Sequence, residues 1–140
     1  MKAVYDDNLI TGNEMIDGQH QELIAKINKL IESCETEKDK LVAIKTLDYL
    51  ADYTEFHFEA EEKLQEEIGY PGYEGHKKEH GKLRAVVKDL YKMLEEEEGP
   101  TQAFVEQVNE NVTEWLYGHI KTFDRSVAEY KFINESSERL

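Results

Sequence analysis

The sequence predicts an all-α fold: an antiparallel, up-down-up-down four-helix bundle with an N-terminal arm. Three observations predict it. Apolar residues recur at helical spacing in four separate stretches; the breaks between them are short, the second and third marked by glycine and proline; and 140 residues suffice for one hydrophobic core but not for two. Short connections between amphipathic helices leave each antiparallel to the one before. A composition of 39% hydrophobic and 34% charged residues with only two prolines is that of a folded helical chain, not of a disordered one.

The chain is read as one domain, 1–140, with residues 1–16 as an arm across the bundle, 17–133 as the bundle and 134–140 as a polar tail. Tyr5 and Leu9 are the expected anchors of the arm. The first helix runs from about Asp17 to Cys34, with His20, Leu23, Ile24, Ile27, Leu30, Ile31 and Cys34 on one stripe. The second and longest starts near Asp39 and places Leu41, Ile44, Leu47, Leu50, Ala51, Thr54, His57, Glu61 and Leu64 on one face. It stops at Gly69-Tyr70-Pro71-Gly72, a strong breaker sequence. The third carries His76, His80, Leu83, Val87, Leu90 and Leu94 in step and ends near Gly99-Pro100. Its last turn holds the acidic run Glu95 to Glu98, unfavourable beside the negative pole of the helix dipole and expected to fray. Thr101 is the expected N-cap of the fourth helix, whose stripe is Phe104, Val108, Val112, Trp115 and His119.

Charge excludes partners. Thirty-one acidic against 17 basic residues give a net charge of -14, which repels phosphate backbones and anionic lipid. Nucleic acid and membrane are therefore not expected partners. No run of 18 apolar residues occurs, and the residues from Met1 to Asp7 carry acids and no apolar run, so neither a spanning helix nor a signal peptide is expected. A single cysteine, Cys34, permits no intramolecular disulfide and gives no support to an oxidising compartment. The expected location is cytoplasmic.

The chemistry lies in the histidines. All five fall on the apolar stripes, where a free imidazole needs a hydrogen-bonding partner or a metal. One such histidine would be an ordinary satisfied core residue; five spread over four helices point to a shared metal site. Residues four apart share a helix face. His76 and His80 are such a pair, and so are His57 and Glu61, which singles out Glu61 over Glu59 and Glu62. Asp124 is five residues from His119, off one face in a regular helix, and suits a carboxylate reaching back from the final turn. Five imidazoles and two carboxylates exceed the four ligands of a structural zinc site and imply two metals. Spacing alone leaves iron, manganese and zinc open. A metal-free bundle would bury seven polar groups without partners, at a cost on the order of 1 to 3 kcal/mol each.

With these residues in place the chain resembles the hemerythrin family along nearly its whole length, through ITGNEMIDGQHQEL, HFEAEE, YPGYEGHKKEH and WLYGHIKTFD. The resemblance implies two iron ions in a non-haem di-iron centre with an oxo or hydroxo bridge. It assigns His76, His80 and His119 to one iron and His20 and His57 to the other, with Glu61 and Asp124 bridging both. It implies no catalytic role but reversible binding of dioxygen, held as a hydroperoxide at the open position of the two-histidine iron, for carriage, storage or sensing. Leu23, Phe56, Phe58 and Trp115 are candidate walls of a dry pocket there, or simply core. Thr122 stands where related animal carriers have an aliphatic residue, and its hydroxyl is expected to admit water and hasten autoxidation. Tyr5 and Leu64 also depart from residues frequent in bacterial relatives, without touching a ligand.

The rival readings are a di-iron oxidase or peroxidase, and an iron storage or sensing protein. Carboxylate-rich di-iron proteins use Glu-x-x-His motifs. Here Asp17, Thr54, Tyr73, Lys77 and Leu116 stand three before the five histidines, so that motif is missing and oxygen binding is favoured. Gly18, Gly75, Gly81 and Gly118 lie one or two positions from histidines; either close helix packing around the metals or placement in first turns would explain them.

Overall fold

The computed structural model describes residues 3–138, and side chains through residue 135. Four helical rods form the bundle. Helix α1 spans Glu14–Thr36, α2 spans Lys40–Ile68 and α3 spans Tyr73–Glu96. The fourth rod is continuous but not uniform: α4 (Gln102–Gln107), a π-helical turn (Val108–Thr113), α5 (Glu114–His119), a second π-helical turn (Ile120–Asp124) and α6 (Arg125–Glu138). Neighbours in sequence pack together, and α1 closes the ring against the fourth rod. Among the described residues there is no strand, and no helix is long and apolar enough to cross a membrane.

Local chemistry sets the helix ends. The Asn13, Asp39 and Thr101 side chains accept from the backbone N–H of Ile16, Val42 and Phe104 at 3.0, 3.1 and 3.1 Å, each satisfying a donor that a first turn leaves free. Gly69 ends α2 at φ 64°, in the left-handed region that glycine adopts at no steric cost. Helix α3 stops at Glu96 and Glu97 is already extended, so the helix ends within the acidic run, two residues short of Gly99-Pro100.

The core fills the bundle with Leu23, Ile27, Leu30, Leu47, Leu50, Leu83, Leu90, Phe104, Val112 and Leu116. Leu41 is 77% exposed while Ala43 in the same turn is buried, because residues two apart on a helix are turned about 200° from each other and the buried face of α2 runs through Ala43 and Leu47. Residues 3–10 cross the outside of α1 and the fourth rod. Ala3 exchanges hydrogen bonds with Asn28 at 2.7 and 2.8 Å, the Val4 N–H donates to the Tyr117 hydroxyl at 2.7 Å, and Arg125 donates to the Ile10 carbonyl at 3.3 Å. Leu9 is buried and Tyr5 packs on the core. Helix α6 runs on through residue 134 to Glu138.

Candidate metal centre

Seven polar side chains, none more than 4% exposed, meet in the half of the bundle that holds the start of α1 and the α2–α3 turn. His20 comes from α1, His57 and Glu61 from α2, His76 and His80 from α3, His119 from α5, and Asp124 from the second π turn. In a helix of 3.6 residues per turn, five residues overshoot one turn by about 140°, which would turn Asp124 away from His119. The π turn absorbs one extra residue and returns Asp124 to the same face. Asp124 Oδ1 then lies 3.0 Å from His119 Nε2.

The two carboxylates divide the imidazoles into two sets. Glu61 Oε1 is 2.6 Å from His76 Nε2 and 3.9 Å from His80 Nε2. Asp124 Oδ1 is 2.8 Å from His76 Nε2. The other oxygens face the opposite way: Glu61 Oε2 is 3.0 Å from His57 Nε2, and Asp124 Oδ2 is 2.6 Å from His20 Nε2 and 3.9 Å from His57 Nε2. The result is two ligand groups sharing both carboxylates, His76, His80 and His119 on one side and His20 and His57 on the other. Within each group the ligand atoms lie within 4.8 Å of one another, comparable with the roughly 4.2 Å span of two ligands each about 2.1 Å from an ion.

Orphaned atoms test whether these residues fit metal ions. Both oxygens of Glu61, Nε2 of His57 and of His80, and Oδ1 of Asp124 are buried without a hydrogen-bond partner, although oppositely polarised atoms stand as near as 2.6 Å. Close approach without hydrogen-bond direction is what ligand atoms aimed at a common point produce. The outer ring nitrogens are held separately. His57 Nδ1 is 2.6 Å from Gln19 Oε1, His80 Nδ1 is 2.8 Å from Glu62 Oε2, and His76 Nδ1 is 2.9 Å from the Gln65 amide nitrogen, whose buried Oε1 has no partner. Turning that amide over gives Oε1 an Nδ1–H to accept from, the tautomer that ligation through Nε2 demands. The donor set therefore fits two cations of the nitrogen-and-oxygen-binding kind.

Electrostatics agree. Burial disfavours the charged form of His57 and His76, but the close carboxylates of Asp124 and Glu61 outweigh it and raise both to about 9. Two carboxylates facing the rings favour positive charge between them, whether a proton or a cation. Burial, reinforced by the neighbouring imidazoles of His76 and His119, pushes His80 far down. Asp124 is opposed by burial yet held well below the ordinary carboxylate range by its polar neighbours Glu61, His119 and His20.

The surroundings differ from the sequence expectation. Phe56 is 55% exposed: one residue before His57, it is turned about 100° away from the centre. Thr122 is also exposed, and its hydroxyl donates to the Gly118 carbonyl at 2.8 Å; the π turn swings it outward. Neither belongs to a pocket wall. Trp115 stacks on His119 at 4.4 Å between ring centroids, on the three-histidine side, whereas Phe58 stacks on His80 at 3.8 Å and also lies 6.1 Å from the His57 ring, so it borders both sides. Phe123, unremarked in the sequence, stacks on His119 at 5.2 Å. Leu23 is buried, one turn on from His20. The glycines beside the histidines are not packing sites, since a Cβ at Gly18, Gly75, Gly81 or Gly118 would meet nothing within 4 Å; nothing in the structure explains Gly81 and Gly118. Gln19, Gln65 and Glu62 escaped sequence reasoning. Gln65 had a signal, four residues after Glu61 on the same stripe.

Comparison with known proteins agrees with this geometry. The family model for the hemerythrin HHE cation binding domain matches residues 11–130. The bacteriohemerythrin of Methylococcus capsulatus is 34% identical over 113 residues, covering 78% of this chain and 80% of that one. That of Aquifex aeolicus is 31% identical over 118 residues, 84% and 88% of the two chains. A crystal structure of wild-type hemerythrin superposes with a TM-score of 0.78 at 30% identity, covering 90% of this chain and 95% of that one. A four-helix bundle with one cluster of histidines and carboxylates, matched by the family model over most of its length, makes this chain a member of the hemerythrin family.

Proposed function

We propose that this protein holds two iron ions and binds dioxygen reversibly on the two-histidine side of the centre. The observation that carries the reading is the asymmetry around the shared carboxylates: His76, His80 and His119 on one side against His20 and His57 on the other. With Glu61 and Asp124 counted, one ion receives five protein donors and its neighbour four, so a small ligand has a position only beside His20 and His57. Two ferrous ions there supply the two electrons that holding and releasing dioxygen intact requires.

The protein's part is to fix donors and exclude water. Glu61 and Asp124 supply two negative charges against the ions, and burial of all seven groups keeps out the water that would strip a reduced oxygen ligand from the site. Gln19 fixes His57 through Nδ1, leaving Nε2 free to ligate. Nitrogen-rich ligation with only two carboxylates disfavours the high-valent states of an oxidase. The reading is tested by loading metal-free protein anaerobically with ferrous iron, counting metal per chain, admitting air and following the visible spectrum through cycles of deoxygenation. A band that returns in each cycle supports reversible binding. Irreversible bleaching with consumption of a reductant makes the protein an enzyme, and no band removes the gas-binding role.

A further inference from the structure

The five imidazoles are not supported alike at their outer nitrogens. Among the described residues, Nδ1 of His20 and of His119 has no partner, while His57 and His76 meet the neutral amides of Gln19 and Gln65. Among the same residues only His80 meets a carboxylate there, that of Glu62 at 2.8 Å. Glu62 is in turn tethered. Arg84 Nη2 lies 3.7 Å from its Oε2 while the same guanidinium grips Glu55 at 2.7 and 3.1 Å. Arg84 also sits 5.1 Å over the Phe58 ring, whose plane is within 7° of His80 at 3.8 Å. His80 is therefore braced by an anion at its edge and an aromatic ring at its face, both leading to one arginine.

We propose that Glu62 is a positioning residue for the metal centre, fixing His80 as the Nδ1–H tautomer and making its Nε2 the strongest imidazole donor of the five, with Arg84 holding Glu62 in place. An anionic acceptor on Nδ1–H pushes electron density through the ring to the ligating nitrogen, and such supporting groups are commonly worth 10- to 100-fold in metal affinity. The neutral amides on His57 and His76 fix orientation with far less of this effect. The metal on the three-histidine side is thereby anchored, leaving the two-histidine side as the weaker position. This rests on the metal-centre reading above.

The test uses zinc, which is diamagnetic and redox-inert. Metal-free wild type, Glu62→Gln, Glu62→Ala and Arg84→Met are titrated with zinc against a competing chelator, and the His80 ring nitrogens are followed by nitrogen-15 NMR in the loaded proteins. Glu62→Ala is expected to weaken one of the two zinc ions by about 10- to 100-fold while the other changes by less than about threefold. Glu62→Gln keeps an acceptor without the charge, so it should retain the His80 tautomer and lose part of the affinity, and Arg84→Met should fall between it and wild type. Equal weakening of both ions, or wild-type affinities in Glu62→Ala, overturns the proposal. Should Glu62→Ala fail to fold, Glu62→Gln decides alone: unchanged affinity for both ions overturns it. Wild type that takes up fewer than two zinc ions overturns the metal-centre reading itself, and this inference with it.

Discussion

Loading the centre with metal should expel protons, and the structure sets how many. His57 and His76 are raised from the ordinary histidine value to about 9 by Asp124 and Glu61. At pH 7.5 a group of that pKa is roughly 97% protonated, so metal-free protein carries close to two protons on these imidazoles. A metal ion requires the free Nε2 lone pair, so both protons leave on loading. His80 and Asp124, both held low, have no proton to give from their ligating atoms. The sign follows: release is about two protons per chain at pH 7.5 and falls toward zero as pH rises through 9, where the imidazoles are already neutral. Below pH 9 the combined affinity for two ions should climb by about two log units per pH unit. A hydroxide bridge formed from water adds a proton at every pH and leaves the difference between pH 7.5 and 10 at about two. Calorimetric titration with zinc in two buffers of different ionisation enthalpy measures the release directly. A release that does not change between pH 7.5 and 10 would refute the reasoning.

The same shifts govern stability without metal. The raised imidazoles contribute fully below their ordinary value of 6.5 and lose that contribution as pH rises through about 9, roughly 3 kcal/mol for one and less than twice that for both, since they share two carboxylates. The depressed Asp124 acts oppositely, contributing above the ordinary value of 3.8 and losing it as pH falls. His80, held far below its ordinary value of 6.5, withdraws stability as pH falls below that value, so urea unfolding of metal-free protein should give its highest midpoint near pH 6.5; a midpoint that rises steadily from pH 6.5 to 9 contradicts this. Phe58→Ala removes a fully buried ring and should cost about 3 to 5 kcal/mol by the same measurement, against which a loss below about 1 kcal/mol would count. Gly81→Ala and Gly118→Ala, with open space at both positions, should each stabilise the protein by about 0.4 to 1 kcal/mol, and destabilisation by either would reveal a constraint the packing does not show. Thr122→Leu should leave autoxidation of the oxygenated protein within about twofold of wild type, because Thr122 faces solvent; a marked slowing would return it to the pocket wall.

What the sequence revealed and what it hid have physical reasons. The histidines were legible because each sits on an apolar stripe, and 3.6-residue periodicity carries a stripe reliably through α1, α2 and α3. The fourth rod broke that rule. Its π turns at Val108–Thr113 and Ile120–Asp124 shift the face of everything after them, which is why His119 and Asp124 converge at a spacing of five and why Thr122 points outward. No residue in IKTFD announces the wider turn; the spacing of two expected ligands was the sole hint. Phe56 was misjudged because adjacency in sequence to His57 was allowed to stand for adjacency in space. Glu62 was set aside by stripe logic that correctly placed Glu61 at the centre, yet Glu62 serves the same imidazole cluster from its rim through His80. Helix-face reasoning finds the residues that point inward; those that steady them from the side need the tertiary contact with α3.

The central claim is geometric: two ions, one on either side of Glu61 and Asp124. X-ray diffraction from iron-loaded crystals, collected above and below the iron absorption edge, tests it most directly. The account predicts two anomalous peaks, one against Nε2 of His76, His80 and His119, the other against Nε2 of His20 and His57, both within ligating distance of the two carboxylates. A single peak, or iron found only among surface acids, would contradict it.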